Sequence, residues 1–158
     1  MLDTNPNTLL FIAGEGQISN YLLEADRYWS RITFTGMLDK KKLYELYSIA
    51  NIGIVSSLYE EFGFVAIEMM MYKLPIIVTD TSGLSEIVED GVSGFKIPIQ
   101  NIKGKRGFDS KKMAQKIILL LNRKDLASEI AENGRRRFLD KYELSVFNKK
   151  MKDLYLNI

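Results

Sequence analysis

The stretch from Ile52 to Tyr72 constrains the fold more than any other part of the chain. Ile52 to Val55 is a short apolar run, Ser56 to Phe62 is polar, and Gly63 to Tyr72 is rich in Met, Ala and Ile with no breaker inside it. That succession predicts a strand, a loop and a helix. A strand that passes through a glycine-bearing turn into a helix aims free backbone N–H groups, and the positive end of the helix dipole, at one point beyond the strand's carboxyl end. Such a point suits an anion, phosphate above all.

Two carboxylates frame that point, Glu60 in the loop and Glu68 in the second turn of the helix, with seven residues between them. Glu68 interrupts the apolar residues Phe64 to Ile67 and Met69 to Met71, where a buried, unpartnered carboxylate is costly. Carboxylate oxygens only accept hydrogen bonds, so at the rim of an anion site they suit sugar hydroxyls, which supply donors that phosphate oxygens lack. Spacing alone equally allows Glu68 on an exposed helix face and Glu60 and Glu61 as surface charges.

The rest of the chain alternates strands and helices. Thr8 to Ala13 reads as a buried strand ending at Gly14-Glu-Gly16, followed by a helix from about Ile18 to Tyr28. Arg31 to Thr35 is a second strand, ending at Gly36. Asp39 is placed to cap a helix with Leu43, Leu46, Tyr47 and Ala50 on its apolar face. After the central unit come a buried strand from Pro75 to Val78, a short helix from Gly83 to Val88 and a strand from Gly94 to Pro98. Gln100 to Phe108 reads as a long mobile loop. Three helices close the chain, with core-facing stripes at Met113, Ile117, Ile118 and Leu121, then Leu126, Ile130 and Phe138, then Phe147, Met151, Leu154 and Tyr155.

Such alternation with short connections implies an α/β fold with a mainly parallel sheet, its ligand at the carboxyl ends of the strands. Function is therefore expected in the loops 14–17, 36–39, 56–62 and 80–83. A chain of 158 residues fits one domain with its own core. Its 22 Lys and Arg against 20 Asp and Glu make no electrostatic case for nucleic acid. The clusters Lys40 to Lys42, Lys103 to Arg106 and Arg135 to Arg137 read as solvated faces, with weak attraction to anionic lipid as the alternative. No cysteine and no histidine are present, which removes disulfides, thiolate chemistry and the commonest metal ligand. Leu9 to Ala13 is too short to span a bilayer, so the expected location is cytoplasmic, with peripheral membrane contact allowed.

Glu60-x-Phe62-Gly63-Phe64-x-x-x-Glu68-x-Met70, then Leu74-Pro75-Ile-Ile-Val-Thr79-Asp80, then Glu86-Ile-Val-Glu89-Asp90-Gly91-x-x-Gly94-Phe95, resembles the C-terminal domain of the group 1 (family 4) retaining glycosyltransferases. The resemblance runs from about Asn7 to the C-terminus. It implies a Rossmann-like fold, the C-terminal half of a two-domain GT-B enzyme that moves a sugar from a UDP- or GDP-linked donor to a glycan, lipid or protein acceptor. It implies further that Glu68 binds the ribose hydroxyls and that Glu60, the catalytic-site carboxylate, lies against the transferred sugar. By the same resemblance the backbone amides of Phe62, Gly63, Phe64 and Val65 meet the donor sugar and diphosphate. Gly36, Met37 and Leu38 match the segment whose main chain contacts the nucleobase, and Thr81-Ser82-Gly83, Ser82 in particular, approaches the donor. In the family the leaving diphosphate is stabilised by helix N-termini and basic side chains, so no metal ion and no further cofactor are expected.

Two departures stand out. Glu61 occupies a place where the family usually has glycine. The family domain also begins with one further strand and helix whose Arg and Lys neutralise the diphosphate, and nothing ahead of Leu9 matches them; the acceptor domain is likewise not in these residues. The expectation is a truncated donor-binding domain over residues 1–158, inactive in transfer by itself. Because the first strand of such a sheet is central, Leu9 to Ala13 is expected either to pair directly with Ile52 to Val55 or to leave a gap filled by another chain in a homodimer.

Two other functions are open. Gly14-x-Gly16-x-x-Ser19 follows a strand and opens a helix, as in a dinucleotide-binding oxidoreductase, but Ser19 stands where the third glycine belongs and no acid follows the next strand. A non-catalytic nucleotide-binding module is the other.

Overall fold

In the computed structural model, which describes residues 1–156, the chain divides into two units, Met1–Leu46 and Tyr47–Ile158. The first contains β1 (Leu10–Ala13), α1 (Ser19–Ala25), a 3-10 helix (Asp26–Arg31) and β2 (Ile32–Gly36), and ends inside α2 (Lys40–Ile49). Strands β1 and β2 are parallel, with a register shift between Ile12 and Ala13. The Arg31 guanidinium donates to the carbonyls of Leu2, Asn5 and Pro6, and Asp3 accepts from Tyr28 and Arg27. Arg27 and Tyr28 fall at the end of the helix expected from Ile18, whereas Arg31, expected to begin the second strand, ends the 3-10 helix. Asp39 caps α2, its carboxylate accepting from Lys42 N–H at 2.8 Å.

Strand β1 is present but not buried, since Phe11 is 44% and Ile12 41% exposed. Its apolar sequence suggested burial on both faces, which requires layers on both sides of a sheet; within this unit β1 has one neighbour, β2. The pairing expected between Leu9 to Ala13 and Ile52 to Val55 would join residues of different units.

The second unit holds a parallel sheet in the order β3 (Gly53–Val55), β4 (Ile76–Thr79), β5 (Phe95–Ile97). Helix α3 (Phe64–Met71) follows β3, and α4 (Ser82–Ile87) follows β4. Strand β4 is central, and Ile76, Ile77 and Val78 are wholly buried, as an uninterrupted apolar run implies. The closing helices are α5 (Ser110–Asn122), α6 (Lys124–Lys141) and α7 (Leu144–Leu156). Met113, Ile117, Leu120 and Ile130 join the core, with Leu120 rather than Leu121 facing inward on α5. Helix α7 has no buried residue, so its expected core stripe of Phe147, Met151, Leu154 and Tyr155 lies at the surface. Among the described residues no helix is long and apolar enough to cross a membrane.

Two further expectations change. Residues 100–108 are not a loop but most of an antiparallel hairpin, β6 (Ile99–Ile102) and β7 (Lys105–Phe108). Its two-residue turn, Lys103-Gly104, has both residues at positive φ, as a type I′ hairpin turn requires. Nor is Arg135-Arg136-Arg137 simply a solvated face. Arg135 Nη1 donates to the Met71 carbonyl at 2.7 Å, and Arg137 donates to the carbonyls of Ile87 and Glu86 at 2.6 and 2.8 Å. Both arginines cap the carboxyl ends of helices, where carbonyls lack helical partners.

The start of α4 fixes the loop between β3 and α3. The Gly83 N–H donates to the Glu60 carbonyl at 3.1 Å, Ser82 Oγ donates to the same oxygen at 3.3 Å, and Thr79 Oγ1 donates to the Ser57 carbonyl. A Cβ on Gly83 would lie 2.5 Å from the Glu61 carbonyl and the Phe62 nitrogen, both of them backbone. Gly63 has φ +99°, and a Cβ there would meet Leu84 at 2.7 Å. Gly83→Ala is therefore expected to destabilise the protein by about 1–3 kcal/mol and to move the main chain of residues 60–62. Thermal unfolding reads the first effect and amide chemical shifts the second; an unshifted loop with an unchanged Tm would contradict the contact.

Candidate functional site

The carboxyl ends of β3 and β4 bring two of the expected loops together, 56–62 and 80–83. Because the Glu60 carbonyl is taken by Gly83 and Ser82, its residue is held by backbone while its carboxylate stays half-exposed. Among the described residues the carboxylates of Glu60, Glu61 and Glu68 enter no ion pair.

Gly63, in the left-handed region, turns the chain into α3, and no side chain caps that helix. The Ala66 N–H donates to the Gly63 carbonyl at 3.0 Å, while the N–H groups of Phe64 and Val65, ahead of it, are left for a ligand or water. Phe64 and Glu68 stand four residues apart and Val65 and Glu68 three apart, so all three lie on one face of α3. The opposite face, Ala66, Ile67 and Met70, is buried. Glu68 lies between Phe64 and Val65 on the open face and is half-buried, which meets neither extreme weighed from the sequence: it is neither sealed in apolar surroundings nor fully solvated. Phe62 and Phe64 remain exposed, their rings 4.7 Å apart, and Phe62 meets the edge of Tyr142.

Ser82 is exposed and its neighbour Thr81 is buried, with a hydroxyl that finds no partner. Thr81 stands at the N-cap of α4 without making the capping bond its residue type offers. Behind them Asp80 accepts from Ser85 and pairs with Lys96 Nζ at 3.4 Å, which ties β4, α4 and β5 together.

Gly36, Met37 and Leu38 belong to the first unit, at the end of β2. Gly36 has φ +65°, and its carbonyl accepts from the Gly14 N–H and from Thr35 Oγ1. Met37 is exposed and Leu38 half-buried. The Gly14 to Ser19 segment opens α1 without a side-chain cap.

Sequence reasoning missed one residue at the loop of the second unit. The guanidinium carbon of Arg106, on β7, lies 4.6 Å from the ring centroid of Tyr59, which immediately precedes Glu60 and is 76% exposed. Reading residues 100–108 as a loop hid this contact; a pair of short strand-like runs around Lys103-Gly104 was the available signal. Among the described residues no three His, Cys, Asp or Glu side chains converge in a metal-binding group.

Comparison with known proteins matches this architecture. The parallel α/β arrangement follows GT-B structures: sucrose-phosphate synthase from Thermosynechococcus elongatus superposes with a TM-score of 0.80 at 28% identity, over 99% of this chain and 40% of that one. Anabaena HepE in complex with UDP has the same fold, with a TM-score of 0.80 at 19% identity over 97% of this chain and 42% of that one. By sequence the chain is 28% identical to alpha-D-kanosaminyltransferase of Streptomyces kanamyceticus over 150 residues, which are 93% of this chain and 37% of that enzyme. The chain thus spans little more than a third of that relative's length. The family model described as glycosyl transferases group 1 matches residues 1–137, a span that includes both strand-end loops gathered around Glu60, and on that match the chain belongs to the group 1 glycosyl transferases.

Proposed function

We propose that this chain binds the nucleoside-diphosphate sugar of a glycosyltransferase that passes the sugar, with retention, to a glycan, lipid or protein acceptor. The observation that carries the reading is the uncapped start of α3, where Gly63 and the first-turn amides lie beside two carboxylates without ion-pair partners. The amides of Phe62 to Val65 take the diphosphate, and their dipole rather than a metal ion meets the charge that develops on the leaving group. Glu68, on the same helix face as Phe64 and Val65, accepts hydrogen bonds from the ribose hydroxyls. Glu60, held at its carbonyl by α4, turns its carboxylate to the transferred sugar, and Ser82 flanks it. For the first unit we propose separately that the main chain of Gly36, Met37 and Leu38 takes part in nucleobase recognition. A UDP-linked donor is supported by the likeness to HepE, whose structure holds UDP; a GDP-linked donor is the alternative. A cytoplasmic location, with peripheral membrane contact allowed, is part of the same proposal.

Calorimetric titration of the chain with UDP, GDP and NAD tests the donor class, and heat from NAD alone would favour a dinucleotide-binding oxidoreductase. Glu68→Gln is expected to weaken nucleoside diphosphate binding by about 1.5–3 kcal/mol, and unchanged affinity would remove Glu68 from the ribose. In the complete enzyme Glu60→Gln is expected to lower kcat in sugar transfer while affinity for the free diphosphate holds. Equal losses in both would end the division of labour between the two carboxylates. Strand β1, with one neighbour and exposed apolar side chains, is proposed to pair with another copy at its free edge. Sedimentation velocity should then show a dimer that Phe11→Lys dissociates, whereas a monomer at all concentrations would exclude it.

A further inference from the structure

The hairpin β6–β7 is anchored on both sides: β6 leaves β5 through Pro98, and β7 leads into α5, whose N-cap Asp109 accepts from Lys111 and Lys112 N–H. Between those anchors the hairpin lays Arg106 against the loop that carries Glu60. Residues 56–63 contain two glutamates and no Lys or Arg. An anion bound there needs a cation from elsewhere.

Arg106 has the geometry for it. A guanidinium stacked on an aromatic face keeps its N–H donors in its own plane, pointing sideways, and the stack limits its rotamers before any ligand arrives. Among the described residues Arg106 forms no ion pair, although Glu60 and Glu61 follow the ring on which it rests. Its donors are unspent, and a planar fork suits phosphate oxygens in a bidentate grip.

We propose that Arg106, oriented by Tyr59, binds the phosphate groups of the donor. This rests on the nucleotide-sugar reading above and adds a residue to it, drawn from a hairpin outside the strand–loop–helix unit. The hairpin thereby supplies the positive charge that the loop lacks, and Tyr59 positions it.

The test compares UDP, uridine and inorganic pyrophosphate as ligands of the 158-residue chain, by calorimetry and by the side-chain Nε–H resonance of Arg106. Arg106→Gln is expected to weaken UDP roughly ten-fold or more, the loss of a charged hydrogen-bonding partner, and to leave uridine unchanged. Arg106→Lys should recover part of the loss, because it keeps the charge without the fork. Tyr59→Phe should match the wild type and Tyr59→Ala should not. UDP binding that ignores Arg106→Gln, or an equal loss for UDP and uridine, overturns the proposal. If the wild type binds no UDP, the nucleotide reading falls while Arg106 is still judged by pyrophosphate. A saturable shift of its Nε–H resonance upholds a phosphate site at the hairpin, and no shift refutes it.

Discussion

The main-chain oxygen of Glu60 is the point on which the second unit's functional geometry depends. Two donors from the start of α4, the Gly83 N–H and Ser82 Oγ, meet at that one atom. The approach is possible only because residue 83 has no side chain, since a Cβ would fall inside the backbone of Glu61 and Phe62. Gly63 repeats the logic from the other side, its bare Cα resting against Leu84 and Ile87. A loop exposed to water on its outer surface is thus seated on a helix whose own residues Leu84 and Ile87 are buried. Backbone-to-backbone contact leaves little slack, so the main chain at Glu60 is held in place.

That arrangement explains how an apolar helix carries a glutamate. Ala66, Ile67 and Met70 of α3 are buried, while Phe64 and Val65 are open to solvent. Position 68 falls between Phe64 and Val65 on the open face, away from the buried stripe. A carboxylate there retains part of its hydration and avoids most of the desolvation cost that full burial imposes.

Local pattern carried much of this. The run Pro75 to Val78 reads as a strand buried on both faces, and it is; Asp39 caps the helix that follows it. The strand–loop–helix run from β3 through Glu60 to α3 was legible because it belongs to one short stretch. What failed was everything set by neighbours distant in sequence. Strand β1 has the composition of a buried strand, yet burial depends on what covers it, which composition does not encode. The stripe on α7 has helical spacing, yet none of its described residues is buried, so periodicity predicted the helix and not its burial. Arg135 and Arg137 resemble surface charges until Met71, Glu86 and Ile87 are seen to present carbonyls to them. The hairpin was hidden by a Lys-Gly turn, a weaker turn signal than Asn-Gly.

The capping pattern shows how the two kinds of helix end are used. At α3 and α4 the carboxyl ends are closed by arginines from α6, whose cations suit the negative pole of a helix. At the same two helices the amino ends carry no side-chain cap, although Thr81 at α4 has a hydroxyl that could serve. Helix α5, away from these loops, is capped in the ordinary way by Asp109. A capping carboxylate would occupy the first-turn amides and add negative charge, competing with any anionic ligand for the same donors. At α3 the open amino end suits the anionic ligand proposed above, while the arginines close the far ends of both helices.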